Sequence, residues 1–208
     1  MTDVLSQVPP APRQRPRPGE PRADGRRIPG EEGLWVFLLG DMAIFALFFG
    51  AIVVLRGRQP VMFTASQHAL HPGLGILNTG FLLTGSLLVV LATRAIRRAD
   101  RRAASLYLGA VLCGLAFAGV KAVEYTSLIR GGHTAQTNDF FMYYFVFTGI
   151  HLAHLVIGLL LVGLLGLRAR NDQPLTRGQS VFVDCGGCYW HMVDLLWLAL
   201  FPLLYLVR

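Results

Sequence analysis

The sequence predicts an all-α fold, a polytopic membrane bundle of five transmembrane helices. Three observations predict it. Of the 208 residues, 53% are hydrophobic and only 15% charged, with a mean hydropathy of +0.50; a soluble domain usually carries about 25% charge. Five apolar stretches approach the ~20 residues that a helix needs to cross a bilayer. Those stretches run continuously instead of alternating, which favours helices over barrel strands. Together they exclude a soluble enzyme, a disordered regulator and a disulfide-knotted secreted domain.

The first 33 residues read as a disordered, Pro/Arg-rich cytoplasmic tail. Seven of the 11 prolines and six arginines fall there, a composition that cannot bury enough apolar surface to offset its ordering entropy. No short apolar region with a small-residue cleavage site comes first, so a signal peptide is not expected. The membrane domain occupies residues 34–208. Its first span runs from Leu34 to about Leu55, the second from Gly73 to Thr93 and the third from Ala104 to Leu128. The fourth lies within Phe140–Leu167, and the fifth covers Cys188 to Val207. Gly109, Cys113, Ala116, Ala118 and Gly119 in the third span, and Gly149, Ala153 and Gly158 in the fourth, suit close helix approach.

The net charge of +7 comes mostly from 18 arginines, which sit in the tail and the short connections. No aromatics interleave with them, so they fit topology and not nucleic acid. With the N-terminus inside, 14 arginines lie on the cytoplasmic side and four (Arg56, Arg58, Arg130, Arg208) opposite. Five spans then leave the C-terminus outside.

An ionisable residue inside a span costs roughly 2.5 to 3.5 kcal/mol and is a functional hypothesis by default. There are seven: Asp41, Lys121, Glu124, His151, His154, His191 and Asp194. Asp41 and His191 are expected at similar depth in the cytoplasmic third, paired across the first and fifth helices. Such a pair is either structural or proton-handling. Lys121 and Glu124, three apart, share one helix face and read as an internal ion pair. His151 and His154 also share a face. They read as packed, hydrogen-bonded side chains and not as metal or haem ligands, since one face cannot supply both axial positions and no third ligand is evident. His191 and Asp194 form a third such pair, and Pro202 marks a bend beyond them. Cys185-Gly-Gly-Cys188 stands at the mouth of the fifth helix without a thioredoxin-like context, so its thiols read as incidental. Asp41, His191, Asp194, Lys121 and Glu124 are therefore the candidate proton-handling residues. No catalytic or metal-binding residue is expected.

These residues resemble a known set. Tyr189-Trp190-His191-Met192-Val193-Asp194-Leu195-Leu196-Trp197 resembles the YWHFVDxxW signature of haem–copper oxidase subunit III. Thr148-Gly149-Ile150-His151-Leu152-Ala153-His154 is similar to that family's TGxHxxH. Leu77-Asn78-Thr79 with Leu82-Leu83 resembles its LNTxxLL, and Glu124-Tyr125 its EY. Asp41, within Gly40-Asp41-Met42-Ala43-Ile44-Phe45, stands at the family's carbodiimide-reactive intramembrane carboxylate, which is Glu in mitochondrial-type members. The resemblance covers about residues 31–207.

The resemblance implies an accessory role without redox chemistry in this chain. Haem and copper would belong to partner subunits. The chain would pack on catalytic subunit I, with subunit II in the same complex and lipids around it, and would support proton uptake and durability in aerobic electron transport. Mitochondrial-type members have seven spans; five spans and Asp for Glu resemble short bacterial forms. The segments Gly40-Asp41-Met42, Lys121–Tyr125 and Thr137–Met142 are most similar to the branch associated with nitric oxide reductase. A free-standing transporter or channel remains the alternative from the polar residues alone, although no internal repeat is visible.

Overall fold

A computed structural model describes residues 32–171 and 175–206. The expected tail falls almost wholly outside the described residues; Glu32 and Gly33 already belong to the first helix. Six helices follow in order: α1 (Glu32–Arg58), α2 (Pro60–Gln67), α3 (Pro72–Arg97), α4 (Arg102–Arg130), α5 (Asp139–Arg168) and α6 (Arg177–Phe201), with a π-helical turn over Pro202–Leu206. Five stretches are long and apolar enough to cross a membrane, namely α1, α3, α4, α5 and α6 with its terminal turn. No strand occurs among the described residues.

Local chemistry sets the boundaries. Proline opens α2 and α3, where its missing N–H is no loss. Asn138 caps α5 by accepting from the Phe141 N–H at 3.0 Å. Thr176 and Gln179 form a capping box at the start of α6. That cap corrects the fifth span, which starts at Arg177, eleven residues before the expected Cys188. The polar run Arg177–Gln179 and Asp184 lowers the local hydropathy and hides this first part of the helix. Cys185 and Cys188 therefore lie inside α6, half-buried, and not at its mouth.

Short connections make the spans run up and down. One end of the bundle carries Arg97, Arg102, Arg168 and Arg177; it is called the arginine-rich end below. The opposite end carries α2, Arg130 and the turn after Pro202. Helix α2 was not expected. It is held there by Asn138 Nδ2 donating to Ser66 Oγ at 2.9 Å and by Gln67 Nε2 donating to the Leu204 carbonyl at 3.2 Å.

Helices α3 to α6 form the core and α1 lies on its flank, against α6 and α5. The core is organised around Trp190, which is 1% exposed. Its ring fills a socket of glycines from three helices: a Cβ at Gly85, Gly114 or Gly158 would meet it at 3.2, 3.0 and 3.4 Å. Small residues thus permit the close approach that drives packing in lipid. The expected set is only partly right: Gly109 and Gly158 face neighbours, whereas Gly119 and Gly149 face open space. Large apolar side chains cover the outside, among them Leu47, Leu108 and Leu160, as a lipid-facing surface requires.

Candidate functional site

Six of the seven intramembrane ionisable residues sort into three clusters, and His151 stands apart. The deepest joins Lys121 and Glu124 of α4 with Tyr144 of α5 and Tyr205 of the terminal turn. The Lys121 Nζ donates to Glu124 Oε2 at 2.9 Å, to Tyr144 Oη at 3.0 Å and to Tyr205 Oη at 2.9 Å. All three ammonium protons are used. Tyr205 Oη donates to Glu124 Oε1 at 2.7 Å and lies 3.3 Å from Tyr144 Oη. Each phenol has one proton. Tyr205 gives its proton to Glu124, so Tyr144 donates to Tyr205 and both phenols accept from Lys121. The result is a closed hydrogen-bonded network in which every bond runs from the Lys121 ammonium towards the Glu124 carboxylate.

Both charges are fully desolvated. The ring of Tyr144, 4.8 Å from Nζ, and that of Trp197, 5.1 Å away, add cation–π attraction. The expected Lys121–Glu124 ion pair is present. Its phenolic partner Tyr205 escaped sequence reading because it reaches the pair only through the π-helical turn that Pro202 begins. A polar pocket of ≈ 140 Å³ lined by Thr64, Gln67, His68 and Tyr205 approaches the cluster from the end opposite the arginines.

The second cluster corrects the Asp41 expectation. Asp41 pairs with His154 of α5, not with His191: Oδ1 lies 3.2 Å from His154 Nε2. Two causes separate Asp41 from His191. Because α6 begins at Arg177, His191 lies 14 residues in, about 21 Å along the helix. It also points towards α3, whereas Tyr189, two residues earlier, faces α5 and donates to the His154 carbonyl at 3.4 Å.

The other ring nitrogen fixes what this pair holds. His154 Nδ1 lies 2.8 Å from the Ile150 carbonyl, which only accepts, so Nδ1 carries a proton. Nε2 and the Asp41 carboxyl are then either a neutral imidazole accepting from a carboxylic acid, or an imidazolium donating to a carboxylate. In both forms the pair shares one proton.

His151 differs from the expectation of a hydrogen-bonded side chain. It is fully buried between Phe117 and Trp197, with ring centroids 5.6 and 5.4 Å away, and neither nitrogen finds a hydrogen-bond partner. Its i, i+3 spacing from His154 brings no shared ligand, because His154 commits both nitrogens elsewhere. Asn78, also fully buried, has neither amide atom paired.

The third cluster joins Ser86, His191 and Asp194. Ser86 Oγ meets His191 Nδ1 at 2.7 Å. Ser86 of α3 was not singled out from sequence, where it is one of several small polar residues of that helix, with Asn78, Thr79 and Thr84. Near the arginine-rich end Arg97 pairs with Asp184, tying α3 to α6.

Five helices long and apolar enough to cross a bilayer, most of whose ionisable side chains pair inside the bundle, define a multi-pass membrane protein. The chain belongs to the cytochrome c oxidase subunit III family, whose family model matches residues 31–207. It is 32% identical over 178 residues to cytochrome c oxidase subunit 3 of Alkalihalophilus pseudofirmus, covering 84% of this chain and 85% of that one. Quinol oxidase subunit 3 of Bacillus subtilis is 26% identical, with 84% and 85% covered. A protein of Aeropyrum pernix named heme-copper oxidase subunit I+III is 31% identical over 84% of this chain and 22% of its own length.

Proposed function

We propose that this chain is the non-redox accessory subunit III of a respiratory haem–copper oxidase complex, packing on subunit I and supporting proton uptake. Family membership supports the subunit role, and the Aeropyrum relative, which carries both subunit names in one chain, supports the neighbourhood of subunit I. The observation that carries the proton role is the Asp41–His154 pair. It holds one shared proton in the half of the membrane nearer the arginine-rich end, between helices α1 and α5. The bias of arginine towards that end supports placing it in the cytoplasm of a bacterium. Proton uptake from that side would then pass near Asp41.

Haem and copper belong, on this reading, to the partner subunits. His154 has no nitrogen left for a metal, and His151 is closed in by aromatic rings. The segments Gly40-Asp41-Met42, Lys121–Tyr125 and Thr137–Met142 support a second reading, an accessory subunit of a nitric oxide reductase. One purification tests both. The tagged chain, extracted in mild detergent, is expected to bring down a haem-bearing subunit that consumes O₂. NO consumption without O₂ consumption favours the second reading, and recovery of the chain without any haem protein contradicts both.

A further inference from the structure

Three polar rungs run down the junction of α3 and α6. Arg97 pairs with Asp184, Ser86 Oγ meets His191 Nδ1 at 2.7 Å, and Trp197 Nε1 donates to Thr79 Oγ1 at 3.0 Å. Thirteen residues separate Asp184 from Trp197, about 20 Å of helix, so the rungs reach across most of the hydrocarbon layer. The outer two are closed. The Arg97 and Asp184 charges answer each other, and the single indole proton of Trp197 is used.

The middle rung is open. His191 stands near the midpoint of its span and is half-buried. Its Nδ1 is taken by Ser86, while Nε2 bonds nothing among the described residues. An imidazole presents hydrogen-bonding capacity at both nitrogens in every protonation state. In hydrocarbon an unmet polar group costs several kcal/mol. Lipid tails cannot meet it. The surrounding strip of α6 is Cys188, half-buried, with Leu195 and Leu198, 50% and 40% exposed. Helices α1 and α3 both pack on α6 and flank this strip.

We propose that the Cys188–His191–Leu195–Leu198 strip of α6 seats a transmembrane helix of a partner subunit carrying a hydroxyl, amide or carboxyl opposite His191 Nε2. The inference rests on the subunit reading above and adds the face and the chemistry of docking. The Lys121 cluster is satisfied within this chain, and the unpaired Asp41 Oδ2 and Asp194 Oδ1 are buried, out of a partner's reach. His191 alone among the seven ionisable residues couples a free nitrogen to partial exposure.

The test uses the complex in its native membrane. A photo-reactive benzophenone amino acid replaces Leu195 or Leu198, and in controls Leu115 or Leu160 on the outer faces of α4 and α5. Irradiation is expected to join the chain to another membrane subunit from positions 195 and 198 and not from 115 and 160. In parallel, His191→Leu is expected to lower partner recovery roughly three- to twentyfold, the worth of one interhelical hydrogen bond. His191→Gln, which keeps a donor and an acceptor, should restore most of it at unchanged chain levels. Partner crosslinks from 115 or 160 alone, or crosslinks from 195 and 198 only to lipid or to a second copy, overturn the inference while leaving the subunit reading intact. If the unsubstituted chain recovers no membrane partner at all, the subunit reading itself fails.

Discussion

Asp41 on α1 and His154 on α5 meet at 3.2 Å with one proton between them, because the second nitrogen of His154 is already committed to the Ile150 carbonyl. This is the main tie of α1, the least embedded span, to the polar interior. Asp41→Asn keeps an amide donor for a neutral His154 and should leave assembly intact. Asp41→Ala removes the partner and should cost roughly 1–3 kcal/mol. Thermal unfolding in detergent checks the order: wild type and Asn close together, Ala clearly lower.

Lys121 and Glu124 make a different prediction. Removing one member of a buried pair strands the other charge and typically costs about 3–5 kcal/mol. Lys121→Met should therefore destabilise strongly. The double variant Lys121→Met/Glu124→Leu should recover most of the loss, since no charge remains buried. A double-mutant cycle on denaturant midpoints reads this. Additive single effects would show that the closed network around Lys121 does not act as a unit.

How much of this was legible in the sequence follows the range of each interaction. The five spans and the Lys121–Glu124 pair are local, fixed by hydropathy and by a three-residue helical offset, and both are found. Asp41 was identifiable as a functional candidate because desolvation makes any lone intramembrane carboxylate conspicuous. Its partner was not, because choosing between His154 and His191 needs both the start and the rotation of α6. The capping box Thr176–Gln179 held the first of these and was overlooked beneath the polar residues that follow. Tyr205 depends on a π-helical turn, which hydropathy does not encode.

The Trp190 socket gives a packing test. At Gly114 a new Cβ would meet Leu159 Cδ2 at 2.7 Å and Trp190 Cη2 at 3.0 Å. Gly114→Val should overpack the core and cost about 1–3 kcal/mol. Gly119→Ala, on the same helix but with nothing within 4 Å, should be neutral or slightly stabilising. Equal effects at both positions in a thermal melt would argue against the socket.

Orientation is checked by labelling intact cells with a membrane-impermeant thiol reagent. A cysteine at Arg98, in the exposed connection between α3 and α4, should be silent until the membrane is opened. One at Gln136, between α4 and α5, should react at once. The reverse pattern would place the arginine-rich end outside and remove Asp41 from the cytoplasmic side.

The most direct measurement is turnover against pH in the purified complex, normalised to haem, for the wild-type chain, for Asp41→Asn and for the complex depleted of this chain. With Asn the shared proton is gone while the hydrogen bond to His154 remains, so the subunit should still be present in stoichiometric amount. Turnover should match wild type at low pH, where protons are plentiful, and fall below it increasingly as pH rises, towards the behaviour of the depleted complex. Identical pH profiles and identical lifetimes under turnover for wild type and Asp41→Asn would contradict the account, leaving Asp41 as a structural contact between α1 and α5.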